Sequence, residues 1–209
     1  MSSLSRLGEF FAVERPEGEG WHPLAALLDG PFLNHRVVAT HVALTTRAGG
    51  EVEERVAASI ASLGLFARLL SPTLGARLLG VDAPADLRWR ERPTGTLPLA
   101  ASTWAAPDLA GVLTDVVVPL AARLHDEHGV PEQVLSGNAS SAVFGSLTMV
   151  RHARPDLADA ALDLGVEALT HPYLVGTGDP GPPYVRRSCC LYYRVPHGGY
   201  CGDCVLAAR

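Results

Sequence analysis

A mostly helical α+β fold with short strands or hairpins and a small cysteine-bearing C-terminal module is the architecture this sequence predicts. Three observations predict it. Apolar residues recur at helical spacing along several long stretches, which is the period of a helix with one buried face. Shorter β-branched or alternating runs lie between turn residues, and 21 glycines and 16 prolines in 209 residues leave little room for long strands. All four cysteines fall between positions 189 and 204, so they form a local device rather than a framework spread through the chain.

Composition bounds the function before any motif is read. Hydrophobic residues make up 47% and charged residues 19%, a globular balance with a chain long enough to bury its own core. The net charge is −5, and all 17 basic residues are arginine, with no basic run, so no nucleic-acid partner is expected. No stretch approaches roughly 18 consecutive apolar residues, so no integral membrane segment is expected. The first residues carry Arg6, Glu9 and Glu14 without an apolar core, which does not read as a signal peptide, so the expected location is cytoplasmic.

Taken in order, residues 1–35 hold turn signals (Pro16, Gly18, Gly20, Pro23, Gly30, Pro31) around one short apolar run at 24–28. Residues 37–46 are β-branched and apolar and predict a strand. Residues 51–70 predict a helix, with Val52, Val56, Ile60 and Leu63 at helical spacing. Glu51, Glu53 and Glu54 would stand in its first turn, where the dipole favours anions. Residues 87–99 alternate around Pro93, Thr94 and Gly95 and predict a hairpin. Arg88, Arg90 and Arg92 alternate there as a solvated strand face, while Trp21, Trp89 and Trp104 read as core or pocket wall.

Residues 109–128 predict a second long helix with Leu109, Leu113, Val116, Leu120 and Leu124 on one face and a kink at Pro119. His125 and His128 complement its C-terminal dipole. They are three residues apart, but no third metal ligand accompanies them. Asn138 reads as the N-cap of a helix over 139–152, and Pro155 as the first turn of one ending near Thr170. Residues 171–183 carry Gly176, Gly178, Pro180, Gly181, Pro182 and Pro183 and read as a linker. The expected division is a helical substrate-binding body at 1–170, that linker at 171–183, and a cysteine module at 184–209. The phosphate-loop, H-E-x-x-H and G-x-S-x-G patterns do not occur, and no nucleophile triad can be argued.

The chemistry therefore rests on Cys189, Cys190, Cys201 and Cys204, spaced C-C-x10-C-x2-C. Disulfides are disfavoured in a reducing cytoplasm and in a chain large enough to fold without staples. Four thiolates suit a structural zinc ion or an iron–sulfur cluster. Neighbouring side chains of an extended strand point to opposite faces, so two adjacent thiols can share one ion only if the backbone turns sharply. A binuclear cluster offers a wider target. Gly198, Gly199 and Gly202 crowd the second pair and would let amide groups approach sulfur. Arg186, Arg187 and Arg194 would offset the charge of an anionic cluster, and the alternative for each is a solvated loop. Leu191 to Val195 is rich in strand formers and predicts a short strand, with Tyr192 or Tyr193 shielding one side of the thiols. His197 lies between the two pairs as a candidate loop residue or proton donor.

The run from Arg186 to Cys204, R-R-S-C-C-L-Y-Y-R-V-P-H-G-G-Y-C-G-D-C, resembles the C-terminal motif of the FhuF-type ferric-siderophore reductases. A second similarity lies at 135–141, around Gly137 and Asn138. Val205 stands where many relatives carry Pro. The resemblance implies that Cys189, Cys190, Cys201 and Cys204 bind a 2Fe–2S cluster. It also implies an oxidoreductase that passes one electron to iron(III) in a siderophore, of hydroxamate type, and releases iron(II). The electron donor is left open by the sequence, with a ferredoxin or a flavin reductase as the expected classes, and no catalytic side chain is expected beyond the cluster except His197 as a candidate proton donor. Two other readings stand beside it: a zinc-stabilised, non-catalytic binding module, and a ferredoxin-like electron shuttle.

Overall fold

The computed structural model describes residues 3–92 and 95–207. Helices hold more than half of the chain, and the few strands are short and antiparallel, as the composition predicts. Two short 3-10 turns, Leu4–Leu7 and Glu9–Phe11, open the chain. They are followed by β1 (His22–Pro23) and the helices α1 (Ala26–Asp29), α2 (Phe32–Ala48) and α3 (Glu54–Leu79). Next come β2 (Ala83–Pro84), β3 (Arg88–Trp89), β4 (Leu99–Ala100) and β5 (Trp104–Ala105). Helices α4 (Leu109–Val112), α5 (Val118–His128), α6 (Glu132–Ala153) and α7 (Ala158–Ala168) complete the body, before β6 (Gly178–Asp179) and β7 (Val185–Arg186).

Helix α3 is the axis of the core. From Leu65 to Ala76 nearly every residue is buried, including Phe66, Leu69, Leu70 and Leu74, so this helix is covered on all sides. It packs chiefly against α6, with α2 on another side. By length and mean hydropathy alone it could cross a membrane, although it holds no unbroken apolar run of that length. However, 72% of its most apolar window is buried inside the fold, where a core helix sits. The helix starts at Glu54, so Glu51 and Glu53 precede it and only Glu54 occupies the first turn.

The strand expected at 37–46 is instead the middle of α2. Phe32, Leu33 and Val37 are buried, and Gly49 closes the helix with φ +62° and an N–H donated to the Thr45 carbonyl. The helix propensity of β-branched residues is only mildly unfavourable, and packing on α3 overrides it. The expected hairpin is present: Arg88 pairs with Ala100 and Trp89 with Leu99, although residues 93 and 94 of its turn lie outside the described residues. β1 adds to the same sheet through His22 and Trp89. Trp89 is buried against Phe32, whereas Trp104 is exposed, and Arg88, Arg90 and Arg92 all face solvent.

Ahead of Pro119 the chain forms a π-helical turn, Leu113–Val117, and then continues as α5. Proline has no N–H to offer one turn back, and the widened turn absorbs that loss. At the end of α5, His125 Nδ1 pairs with the Val130 carbonyl and His128 Nδ1 with Glu54, so the two histidines serve different partners. The expected cap at Asn138 is corrected. Helix α6 begins at Glu132 because Val134 and Leu135 already face the core, which leaves Asn138 fully buried in mid-helix.

Candidate metal centre

The tail reaches the body through the antiparallel pair of β6 and β7, in which Gly178 faces Arg186. Strand alternation sends neighbouring side chains apart. Arg187 turns outward to pair with Asp179, and Arg186 turns inward and is 1% exposed. Its Nε and one terminal nitrogen donate to both Asp203 oxygens at 3.0 and 2.7 Å. Its guanidinium also donates to Asn138 Oδ1 at 2.9 Å and Ser141 Oγ at 2.8 Å. Such a fork on a carboxylate is a strong, directional pairing.

The network continues into the core. The Asn138 amide donates to the Ser59 carbonyl, Ser59 Oγ and Ser62 Oγ, and Ser59 Oγ donates to the carbonyl of Cys190 at 2.8 Å. A buried polar side chain in mid-helix must be satisfied sideways, and Asn138 is satisfied on both its oxygen and its nitrogen. It thus joins the arginine beneath the thiols to the serines of α3. Gly137 lets this happen: a Cβ there would collide with Ser188 Oγ, so the residue before the first cysteine rests directly on α6.

The strand expected at 191–195 is absent. Leu191 takes a left-handed conformation, φ +68°, and Tyr192–Arg194 is a 3-10 turn. The backbone reverses at the cysteine pair, which is the sharp turn that adjacent thiols need to serve one site. The Leu191 N–H is released toward Cys189 Sγ at 3.3 Å, and the Leu206 N–H lies 3.4 Å from Cys204 Sγ. Val195 is buried against Val52 and Val56 and anchors the turn to the body. Of the three expected glycines only Gly198 is tightly enclosed, by the carbonyls of Tyr192 and Val195. A Cβ at Gly199 or Gly202 would meet nothing within 4 Å.

The four cysteines are free thiols, with Cys190 and Cys204 buried and Cys189 and Cys201 partly exposed. Cys190 Sγ and Cys201 Sγ stand 3.6 Å apart. Two thiolates on one tetrahedral ion, with metal–sulfur bonds of about 2.3 Å, stand about 3.8 Å apart. The thiol of Cys190 is pulled down to about 6, first by the hydrogen bond from Cys201 and also by the charge of Arg186. That same bond, together with burial, pushes Cys201 up. Among the described residues no group of three or more His, Cys, Asp or Glu side chains is arranged to hold a single metal ion. Four thiols, amides aimed at sulfur and a buried cation acting on Cys190 and Cys201 fit a binuclear, anionic cluster.

Other expected residues lie farther from this work. Arg194 pairs with Glu53. Tyr193 is 47% exposed, so it leaves its side of the turn open, and Tyr192 packs against the small Val52–Val56–Val195 cluster. His197 is exposed on the turn with φ +58°. The sequence reading missed Ser59, Ser62, Ser141 and Asp203. Asp203 carried one signal, its place inside the C-G-D-C knuckle, and Ser141 another, its place at the end of the 135–141 similarity, while Ser59 and Ser62 carried none.

No curated protein matches the chain. Residues 186–206 match the family model described as the FhuF 2Fe-2S C-terminal domain. That stretch begins at the buried arginine and takes in all four thiols, and the zinc reading gives way to it. The tail is similar to the FhuF 2Fe–2S C-terminal domain, and the cofactor that goes with the match is a 2Fe–2S cluster.

Proposed function

We propose that this protein is a cytoplasmic ferric-siderophore reductase, with Cys189, Cys190, Cys201 and Cys204 as the cluster ligands. When bound, the cluster supplies one electron to chelated iron(III), leaving iron(II), which hard oxygen donors hold far more weakly. An external one-electron donor of the ferredoxin or flavin-reductase class restores the reduced state. The observation that carries the reading is the match of residues 186–206, set over a cation buried under the thiols.

The chain's own residues supply the setting. Arg186 places a fixed positive charge beside the thiols, where it favours acceptance of an electron. Burial pushes Asp203 up, but the hydrogen bonds and charge of Arg186 outweigh it and hold the carboxyl below its ordinary range. Asp203 therefore stays ionised and keeps the arginine in place. Ser59 fixes the backbone at Cys190 through its carbonyl. In this reading residues 1–170 shape the substrate site, 171–183 connect, and 184–209 carry the cofactor.

The test is a single-turnover experiment. Anaerobic protein reduced with dithionite, freed of excess reductant, is mixed with a ferric trishydroxamate, and the cluster absorbance is followed together with iron(II) capture by a ferrous chelator. Reoxidation with about one iron(II) per chain supports the reductase role. An unchanged cluster spectrum overturns it. Equal rates with unrelated acceptors, without saturation, would favour the shuttle reading.

A further inference from the structure

A cavity of about 540 Å³ lies between α6, α7, the turn at 181–184 and the knuckle that carries Cys201 and Cys204. Its volume falls in the range of small-molecule sites, and most of its wall is hydrocarbon. Phe144 and Tyr184 stack at 4.0 Å, 6° from parallel, on one side of it. Gly202 and Asp203 also line it, and these two residues are the whole of the sequence between Cys201 and Cys204. An occupant therefore touches the loop that bears two of the thiols.

Two features of the wall point to an occupant rather than to loose packing. The first is Arg151. It lines the cavity, its Nε is buried without a hydrogen-bond partner, and among the described residues no carboxylate pairs with it. A buried guanidinium nitrogen without an acceptor carries an uncompensated desolvation cost that an oxygen-rich ligand would relieve. The second is Gly145, exposed in the interior of α6, where glycine weakens a helix. Its φ is not positive, and a Cβ there would meet nothing within 4 Å, so neither backbone nor packing demands glycine. A side chain at 145 would instead project toward the cavity that Ser141, Phe144, Thr148 and Arg151 share along the same helix face.

We infer that this cavity is the seat of the siderophore, and that its occupant is a ferric trishydroxamate of little or no net charge. The inference rests on the reductase reading and adds where, and with what chemistry, the substrate is held. The charge count agrees with the hydroxamate class that the resemblance implies. Asp203 is already matched by Arg186, which leaves Arg151 as the one uncompensated cation among the described lining residues. A triply anionic chelate would call for more. One guanidinium and the hydroxyl of Thr148 suit an uncharged chelate that presents oxygen acceptors on one side and hydrocarbon to Phe144 and Tyr184 on the other. Bound there, the chelate touches the Cys201–Cys204 loop, and electron transfer slows steeply with distance.

Binding is tested apart from electron transfer by using gallium(III) desferrichrome, whose metal has the charge of iron(III) but is not reduced. Titration into the cluster-loaded protein is followed by calorimetry for the native chain, Gly145→Phe and Arg151→Gln. Gly145→Phe places a ring on the cavity wall while improving helix propensity, so its melting temperature and cluster spectrum are expected to stay at native values. Saturable binding that weakens at least tenfold in each variant supports the inference. Native affinity in both variants overturns it, and so does the absence of gallium chelate binding by the native protein, even if the ferric chelate still reoxidises the cluster. Tight, variant-sensitive binding without any reoxidation would uphold the cavity as a chelate site and sink the reductase reading instead.

Discussion

Replacing Arg186 with Gln is expected to unsettle the protein in two separable ways. The Arg186 side chain is 2% exposed and its partner Asp203 is 20% exposed, so the substitution strands a carboxylate in a nearly dry site. Breaking a buried pair from one side costs about 3–5 kcal/mol. A protein of this size is stable by about 5–15 kcal/mol, so the loss is a large share of the total. Asp203→Asn strands the arginine and is expected to cost a similar amount. The double variant removes both charges and is expected to cost less than the two singles together, by about 2 kcal/mol or more. The second effect is on the cluster. A unit charge at a separation on the order of 8 Å, in an effective dielectric of about 20, is worth about 2 kcal/mol. At about 1.4 kcal/mol per 59 mV for one electron, that is roughly 85 mV. Arg186→Gln should lower the midpoint potential by several tens of millivolts, Asp203→Asn should raise it, and the double variant should return near the native value. Anaerobic urea melts followed by circular dichroism give the first set, and redox titration followed by electron paramagnetic resonance gives the second. A destabilisation under 1 kcal/mol in Arg186→Gln, or a potential that rises, would refute the reasoning.

Three further outcomes follow from particular contacts. Because Arg186 depresses the Asp203 carboxyl, the pair's contribution is complete above the unfolded carboxylate value of about 3.9. It is lost as pH falls through that value toward the folded one. Stability measured by urea melts should therefore be flat in this respect from pH 8 to 5, whereas in Arg186→Gln burial is no longer offset by the arginine, Asp203 is pushed up, and stability should rise as pH falls toward the unfolded carboxylate value. Gly137→Ala places a methyl group on Ser188 Oγ and is expected to cost about 1–3 kcal/mol in thermal melts, with much of the loss recovered by adding Ser188→Gly. Arg68, 3% exposed on α3, donates to the carbonyls of Leu97, Phe10 and Ala12. Arg68→Met leaves these acceptors without a donor and is expected to cost about 3 kcal/mol or more, with proteolysis at the N-terminal turns as the local readout.

Some features of this protein were decided by neighbours in sequence alone. The existence of the helices expected over 51–70, over 109–128 and from Pro155 to about Thr170 follows from local apolar period, whereas the run of the first one past Pro72 to Leu79 and the π turn inside the second were set by packing. The thiol chemistry was legible for the same reason: four cysteines within one short stretch meet through local turns, whatever the rest of the chain does. Other features depended on partners distant in sequence. A β-branched run at 37–46 could be strand or helix, and burial against α3 chose helix. Tyr192 and Tyr193 looked like strand residues, but among the described residues no strand pairs with them, and Val195 anchored in the Val52–Val56 cluster holds the segment as a turn. Asn138 had the chemistry of a cap. Its role as the joint between Arg186 and the α3 serines arises only when α3, α6 and the tail are packed together, because a buried hydrogen-bond network is made of groups 48 and 79 positions apart that no local spacing can reveal.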